Sequence, residues 1–424
     1  MKHFLVWLAA IGIGIIDAAL LSLFEFVGVE VTAWLWNDLL HTDVYRWLVI
    51  PVAIVLGLGL TLVIKLLKDK RVVPVEADIL DEMKNAPVKL SEIGTILAIG
   101  AASLLAGASL GPEAALMAAS AGIGAFVAVR LKLNSAKQAL VLASVGALLI
   151  AFVGSPLLIL VPLLILFQGV KKQKTPTKGI LKPSAIIIVA GLTSFLTNDA
   201  INLLTGKAGG YGTVPTLPHF AAHDFAMALI LGFVAGGIAA YLTWLMKRYN
   251  EAAIWLYARR IPAKDWLIGG IFSAILGILY FIGGQTVQFS GNIGSHLLIQ
   301  NAAQFSLSAL VLLLVSKLLA TAWSKGTGYR GGLVFPSIYM GIALGLIVGQ
   351  LFPGLGGLGA ILGAVAGMLT AVVGSPIMAG IFLIAFLPPK VEMWAVAICA
   401  ITGTICFSLV SKRIRDGSNR TARS

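Results

Sequence analysis

Ala139 to Val153 is a continuous apolar run that stops at Gly154-Ser155-Pro156, and the stop decides the architecture. Fifteen residues of helix at about 1.5 Å each cover roughly 22 Å, short of a hydrocarbon core of about 30 Å. The run cannot cross a bilayer alone. Proline removes a helical donor and disfavours helix at the residue before it, so the chain breaks there before a second short apolar run to Gln168. The same pattern returns 220 positions later: Gly359 to Val373, then Gly374-Ser375-Pro376, then an apolar stretch to Pro388. Helices interrupted in this way are tolerated inside a membrane only where the freed backbone faces protein or a water-filled path.

A second landmark repeats at nearly the same spacing. Gly111-Pro112 leads into one apolar run, and the turn from Gly331-Gly332 to Pro336 leads into another, 224 positions from proline to proline. Two spacings that agree within four residues indicate an internal duplication. Between the halves lies a loop, Gly206 to His223, almost free of Lys and Arg, whereas the basic clusters at Lys65–Arg71, Lys171–Lys182, Lys247–Lys264 and Lys412–Arg423 flank apolar segments. The positive-inside rule places those clusters and both termini in the cytoplasm and the central loop outside. The second half then begins from the opposite face, which makes the repeat inverted, with its substrate site expected near the bilayer midplane.

Composition agrees. The 424 residues are 58% hydrophobic and 12% charged, against about 25% charged for soluble domains, and the mean hydropathy is +0.96. A charge-free run of 59 residues, Gly331 to Pro389, exceeds one span of about 20. Uncharged stretches predict about ten segments, beginning near Phe4, Trp47, Ile93, Gly111, Ala139, Ser184, Ala226, Trp266, Leu297 and Gly331. The fold expected is all-α and membrane-embedded, one domain over 1–424, with a first repeat at 4–205, an extracytoplasmic linker at 206–224, a second repeat at 225–411 and a basic cytoplasmic tail at 412–424. The net charge of +13 is read as topology in the inner (plasma) membrane and not as a nucleic-acid surface. Cys399 and Cys406 read as core packing.

Buried helix starts carry free N–H groups and the positive end of the helix dipole, so they attract anions. Gly111-Pro112 and Gly331-Gly332-Leu333-Val334-Phe335-Pro336 are such starts, with glycine allowing close approach and proline fitting the first helical turn. Cation transport calls for carboxylates inside the bundle, and these are scarce. Asp17 reads as a polar contact between helices, and Lys317 as a side chain snorkelling from near a helix end. Four of the five histidines lie in termini or outer loops, and no nucleophile or metal constellation emerges, so no enzyme, cofactor or metal centre is expected.

Lys317-Leu318-Leu319-Ala320-Thr321, a Gly-containing turn, and Gly331-Gly332-Leu333-Val334-Phe335-Pro336 together resemble the K-L-x-A-T and G-G-x-F-x-P signature of the CLC chloride channels and transporters. The likeness runs from about Phe4 to Ser411, with Ala108-Ser109-Leu110-Gly111-Pro112 set where that family has G-(K/R)-E-G-P. It implies a CLC-like inverted repeat with broken and re-entrant helices, a homodimer with a pore in each subunit, and a small anion, chloride first, as the transported species. In that register the family's gating glutamate is Leu110, its inner proton acceptor falls near Ile165 or Leu166, and its G-S-G-x-P loop is Lys70-Arg71-Val72-Val73-Pro74. No counterpart of its last helix with a pore tyrosine precedes Ser424. These departures point to passive conduction, with proton-coupled exchange as the alternative and a carrier for a small organic solute behind both. Lys70 and Arg71 are candidates for drawing anions to the inner mouth, a role that competes with plain topology. Glu113, just past Pro112, is either a carboxylate favoured by the helix dipole or a replacement gate responding to pH.

Overall fold

Residues 2–72, 89–173, 181–206, 221–354, 357–374, 379–381 and 391–421 are described by the structure, a computed structural model. The helices are α1 (Lys2–Glu25), α2 (Val49–Leu66), α3 (Leu90–Leu105), α4 (Glu113–Arg130), α5 (Lys137–Val153), α6 (Leu160–Gln173), α7 (Leu181–Thr205), α8 (Ala222–Ala258), α9 (Lys264–Gly283), α10 (Asn292–Gln300), α11 (Leu307–Gly326), α12 (Val334–Leu351), α13 (Leu358–Val373) and α14 (Val391–Thr421). Among the described residues there is no strand, only one isolated bridge between Gly111 and Gly332. Among the described residues, ten helical stretches are long and apolar enough to span a membrane. The chain is a multi-pass membrane protein.

Three segments differ from expectation. The run at Ile93 is α3, only 16 residues long. The run near Leu297 is divided, because polar residues from Gln300 to Gln304 end α10 and Ser306 starts α11 by accepting from the Ala309 N–H at 3.2 Å. A further span, Trp394–Lys412, lies in α14. On that helix Cys406 is exposed rather than packed in a core, since α14 turns Gly403 and Phe407 toward α8 and Cys406 away.

The duplication is visible in the packing partners. α1 packs on α5 and α7 as α8 packs on α13 and α14, and α4 lies on α5 as α12 lies on α13, while α2 and α9 join the two halves. Both central helices end alike: Gly154 closes α5 at φ 73° and Gly374 closes α13 at φ 72°, the left-handed conformation glycine adopts without penalty. Pro156 then opens a short 3-10 turn, Pro156–Ile159, that feeds α6. Ser375, Pro376 and most of the 206–224 linker lie outside the described residues. Every residue of α5 from Leu142 to Val153 is buried, as a helix apolar all round requires. The opposite extreme is the end of α7, where Leu203 and Leu204 are 78% and 87% exposed, a surface suited to lipid.

Two polar residues anchor this packing. Asp17 on α1 accepts a 2.6 Å hydrogen bond from the Ser144 hydroxyl on α5, and Ser144 also lies 3.0 Å from the Ser120 hydroxyl of α4. Lys317 does not snorkel. It is fully buried, because its ammonium finds the Val287 and Phe289 carbonyls at 3.0 and 2.6 Å and lies over the Tyr339 ring at 5.2 Å.

Small residues allow close helix approach where lipid supplies no hydrophobic drive. A Cβ on Gly232 of α8 would strike the Ala400 carbonyl of α14, whereas one on Gly59 of α2 would meet nothing within 4 Å. Gly232→Ala is therefore expected to destabilise the protein by about 1–3 kcal/mol, the usual range for overpacking. Gly59→Ala should leave the unfolding midpoint in detergent unchanged or slightly raised.

Candidate functional site

The two glycine turns singled out in the sequence meet. Gly111 donates its N–H to the Gly332 carbonyl at 2.9 Å, and Gly332 donates back to the Gly111 carbonyl at 2.7 Å. This pair holds the start of α4 in the first half against the start of α12 in the second. Pro112 is the cap of α4 and Pro336 lies in the first turn of α12, where a missing N–H costs no helical bond. Both prolines are buried, as the convergence of two helix starts on one place requires.

One carboxylate fills the junction. Glu113, the first residue of α4, turns its side chain across to α12, and Oε1 accepts a 2.6 Å hydrogen bond from the Val334 N–H. Oε2 is buried with no hydrogen-bond partner. A helix start favours negative charge, so the first half places its carboxyl group where the second half attracts an anion. The glycines make room for it: a Cβ on Gly111 would overlap the Glu113 carboxylate, and one on Gly332 would overlap its Cγ. Gly331 faces Leu110, whose Cβ lies 2.5 Å from where a Cβ on Gly331 would sit.

Hydroxyl groups hold the loops that carry the junction. The Ser109 N–H donates to the Ser324 hydroxyl at 3.0 Å, the Ser109 and Thr321 hydroxyls are 3.1 Å apart, and the Arg330 N–H donates to the Ser103 hydroxyl at 3.0 Å. Lys325 donates to the Gly331 carbonyl at 2.9 Å and brings a positive charge near Glu113. Val334 and Phe335 are buried, Leu333 is half-buried, and Phe335 packs on Phe152 at 5.5 Å between ring centroids.

Leu110, which the resemblance set in place of a gating glutamate, is fully buried in an apolar cluster with Ala108 and Tyr329. The carboxylate at the helix starts comes from Glu113, three positions later. The sequence singled out Glu113 by its place just past Pro112, and Gly111-Pro112-Glu113 also has the Gly-x-Glu spacing of G-(K/R)-E. Ile165 is half-buried and Leu166 buried, both in apolar packing. Lys70 is exposed, but Arg71 is buried, donating to the Thr61 hydroxyl at 2.6 Å and lying over the Tyr329 ring at 5.3 Å. Arg330 donates to the Lys70 carbonyl at 3.0 Å, which ties this segment to the loop before Gly331. Val73 and Pro74 lie outside the described residues.

Comparison with known proteins agrees with this fold. The family described as voltage gated chloride channel matches residues 69–409. YfeO of Escherichia coli, a protein named for ion transport, is 28% identical over 356 residues in strains 55989 (EAEC) and O1:K1 (APEC), covering 82% of this chain and 79% of that protein. Among solved structures, a slow cyanobacterial Cl−/H+ antiporter superposes with a TM-score of 0.74 at 18% identity, covering 96% of this chain and 95% of that one. A CLC-type fluoride/proton antiporter gives 0.65 at 17% identity, covering 95% of each. At these identities the two likenesses establish the fold.

The crowding of Glu113 against Gly332 has a measurable consequence. Gly332→Ala is expected to destabilise the native chain but to cost less in a Glu113→Ala background. The coupling should be about 0.5–3 kcal/mol in a double-mutant cycle of detergent unfolding, and additive losses would place the strain elsewhere.

Proposed function

This chain belongs to the voltage-gated chloride channel family, whose members transport anions, and we propose that it moves a small anion such as chloride past the junction of α4 and α12, with Glu113 as the gate. The observation that carries this reading is the Glu113 carboxylate on the Val334 N–H. A buried amide at a helix start suits a dehydrated anion, and an internal anion already holds it. A permeant ion gains the position only when Glu113 leaves or becomes neutral. Gly111, Gly332, Leu333 and Phe335 complete the proposed path, with exposed Lys70 steering anions toward the inner face.

Passive conduction is the first reading, supported by apolar Ile165 and Leu166 where the resemblance puts an inner proton acceptor. Proton-coupled exchange is the second, and Glu113 itself favours it, since a carboxylate competing with the anion can carry a proton when displaced. Antiporters of chloride and of fluoride share the fold. We further read the protein as a homodimer in the inner membrane, each subunit with its own path, both termini cytoplasmic, and repeats at 4–205 and 225–411.

Reconstitution into chloride-loaded liposomes tests these readings. Passive transport predicts chloride efflux that needs a potassium ionophore and leaves internal pH constant, whereas proton uptake in step with chloride loss selects exchange. Glu113→Gln weakens a charge-assisted hydrogen bond of roughly 1.5 kcal/mol, so flux is expected to change by about tenfold and lose its dependence on pH. Unchanged flux at every pH would remove Glu113 from the gate.

A further inference from the structure

A cavity of about 410 Å³ lies away from the Glu113 carboxylate, among the end of α2, the end of α8 and the start of α9. Four cations line it, Lys65, Lys70, Arg71 and Lys264, against two carboxylates, Asp69 and Asp265. Both carboxylates have partners in the same lining, and Lys65 is one of those partners. Asp265 lies 3.1 Å from the Lys65 ammonium, and Asp69 accepts from the Lys70 N–H at 2.7 Å. Lys264 is also used, donating to the Tyr257 carbonyl at 3.0 Å.

Arg71 is left incompletely satisfied. It is 5% exposed, Nη1 donates to the Thr61 hydroxyl and Tyr329 covers its face, but Nε and Nη2 are buried with no hydrogen-bond partner. No carboxylate pairs with it among the described residues. The Tyr257 hydroxyl, in the same cavity and near enough to feel the Arg71 charge, is also buried without a partner. Leaving a buried guanidinium edge unpaired is strongly unfavourable. The N–H groups on Nε and Nη2 are the parallel pair with which arginine grips two oxygens of one planar or tetrahedral oxyanion, and a spherical halide cannot use both as well.

We propose that this cavity is an oxyanion site of the phosphate class, with two ligand oxygens on the Arg71 fork and a third contact from the Tyr257 hydroxyl. The site is independent of whether the junction conducts. Exposed Lys68, Arg259 and Arg260 gather at the same helix ends, where a chain leaving the bilayer meets phospholipid headgroups as well as solutes. The phosphate therefore has two sources, free phosphate or the headgroup of an anionic phospholipid.

Thermal unfolding of the full chain in neutral detergent distinguishes them, because a ligand of the native state raises the midpoint. Inorganic phosphate is titrated against sodium chloride at matched ionic strength, and short-chain phosphatidylglycerol against phosphatidylcholine. Saturable stabilisation by phosphate identifies a solute site, and stabilisation by phosphatidylglycerol alone identifies a headgroup site. Arg71→Lys keeps the charge but loses the fork, and is expected to weaken the effective probe at least about tenfold. Tyr257→Phe should weaken it roughly threefold to tenfold and decides the matter if Arg71→Lys does not fold. Stabilisation by neither probe, equal stabilisation by chloride, or an affinity unaltered by Tyr257→Phe would overturn the proposal.

Discussion

The backbone exchange between Gly111 and Gly332 is the constraint on which the rest of the structure depends. Each glycine lies just before a helix start, and each start presents N–H groups that no helical carbonyl can take. In a membrane interior such groups need partners from within the protein. Crossing the two turns satisfies the glycines that lead into the starts, and the Glu113 carboxylate takes the first N–H of α12, at Val334. The requirement that backbone be satisfied and the capacity to attract an anion thus have one origin.

That junction is held from both sides by residues with no chemistry of their own. Ser109 in the loop before α4 bonds Thr321 and Ser324 of α11, Arg330 in the loop before α12 bonds Ser103 of α3, and the four hydroxyl residues are buried. Hydroxyls suit this seam, because each ties a loop to a helix across it without introducing a charge to be neutralised. Around it, helix α5 is enclosed by protein along most of its length, and Phe152 near its end meets Phe335 of α12. A shift of either half would be felt at the carboxylate.

Asp17, Lys317, Glu113 and Arg71 are ionisable groups buried in the apolar body, each with a polar partner, and Asp17 Oδ1, Glu113 Oε2 and Arg71 Nε and Nη2 are left without one. Asp17 has the Ser144 hydroxyl, Lys317 has two carbonyls and an aromatic face, and Glu113 has a backbone amide. Each is tied to a different element, so each also fixes a helix contact. Arg71 is satisfied on one nitrogen only, and the segment that carries it is bonded through Lys70 to Arg330, next to the central glycines.

The sequence by itself determined the membrane class, the duplication and the broken helices, because hydrophobic length, basic clusters and Gly-Ser-Pro are local properties written in consecutive residues. The convergence of Gly111 and Gly331–Pro336 was also legible, through glycine and proline placed for helix starts in both halves. Two assignments were not. Glu113 was left between a dipole contact and a replacement gate, because position along a motif says nothing about which way a side chain turns, and that depends on the space left by Gly111 and Gly332 from opposite halves. Lys317 and Arg71 looked like interface charges since sequence shows a cation but not the carbonyls, hydroxyls and rings that bury it. Those partners lie far away along the chain, and only tertiary packing brings them within hydrogen-bond range.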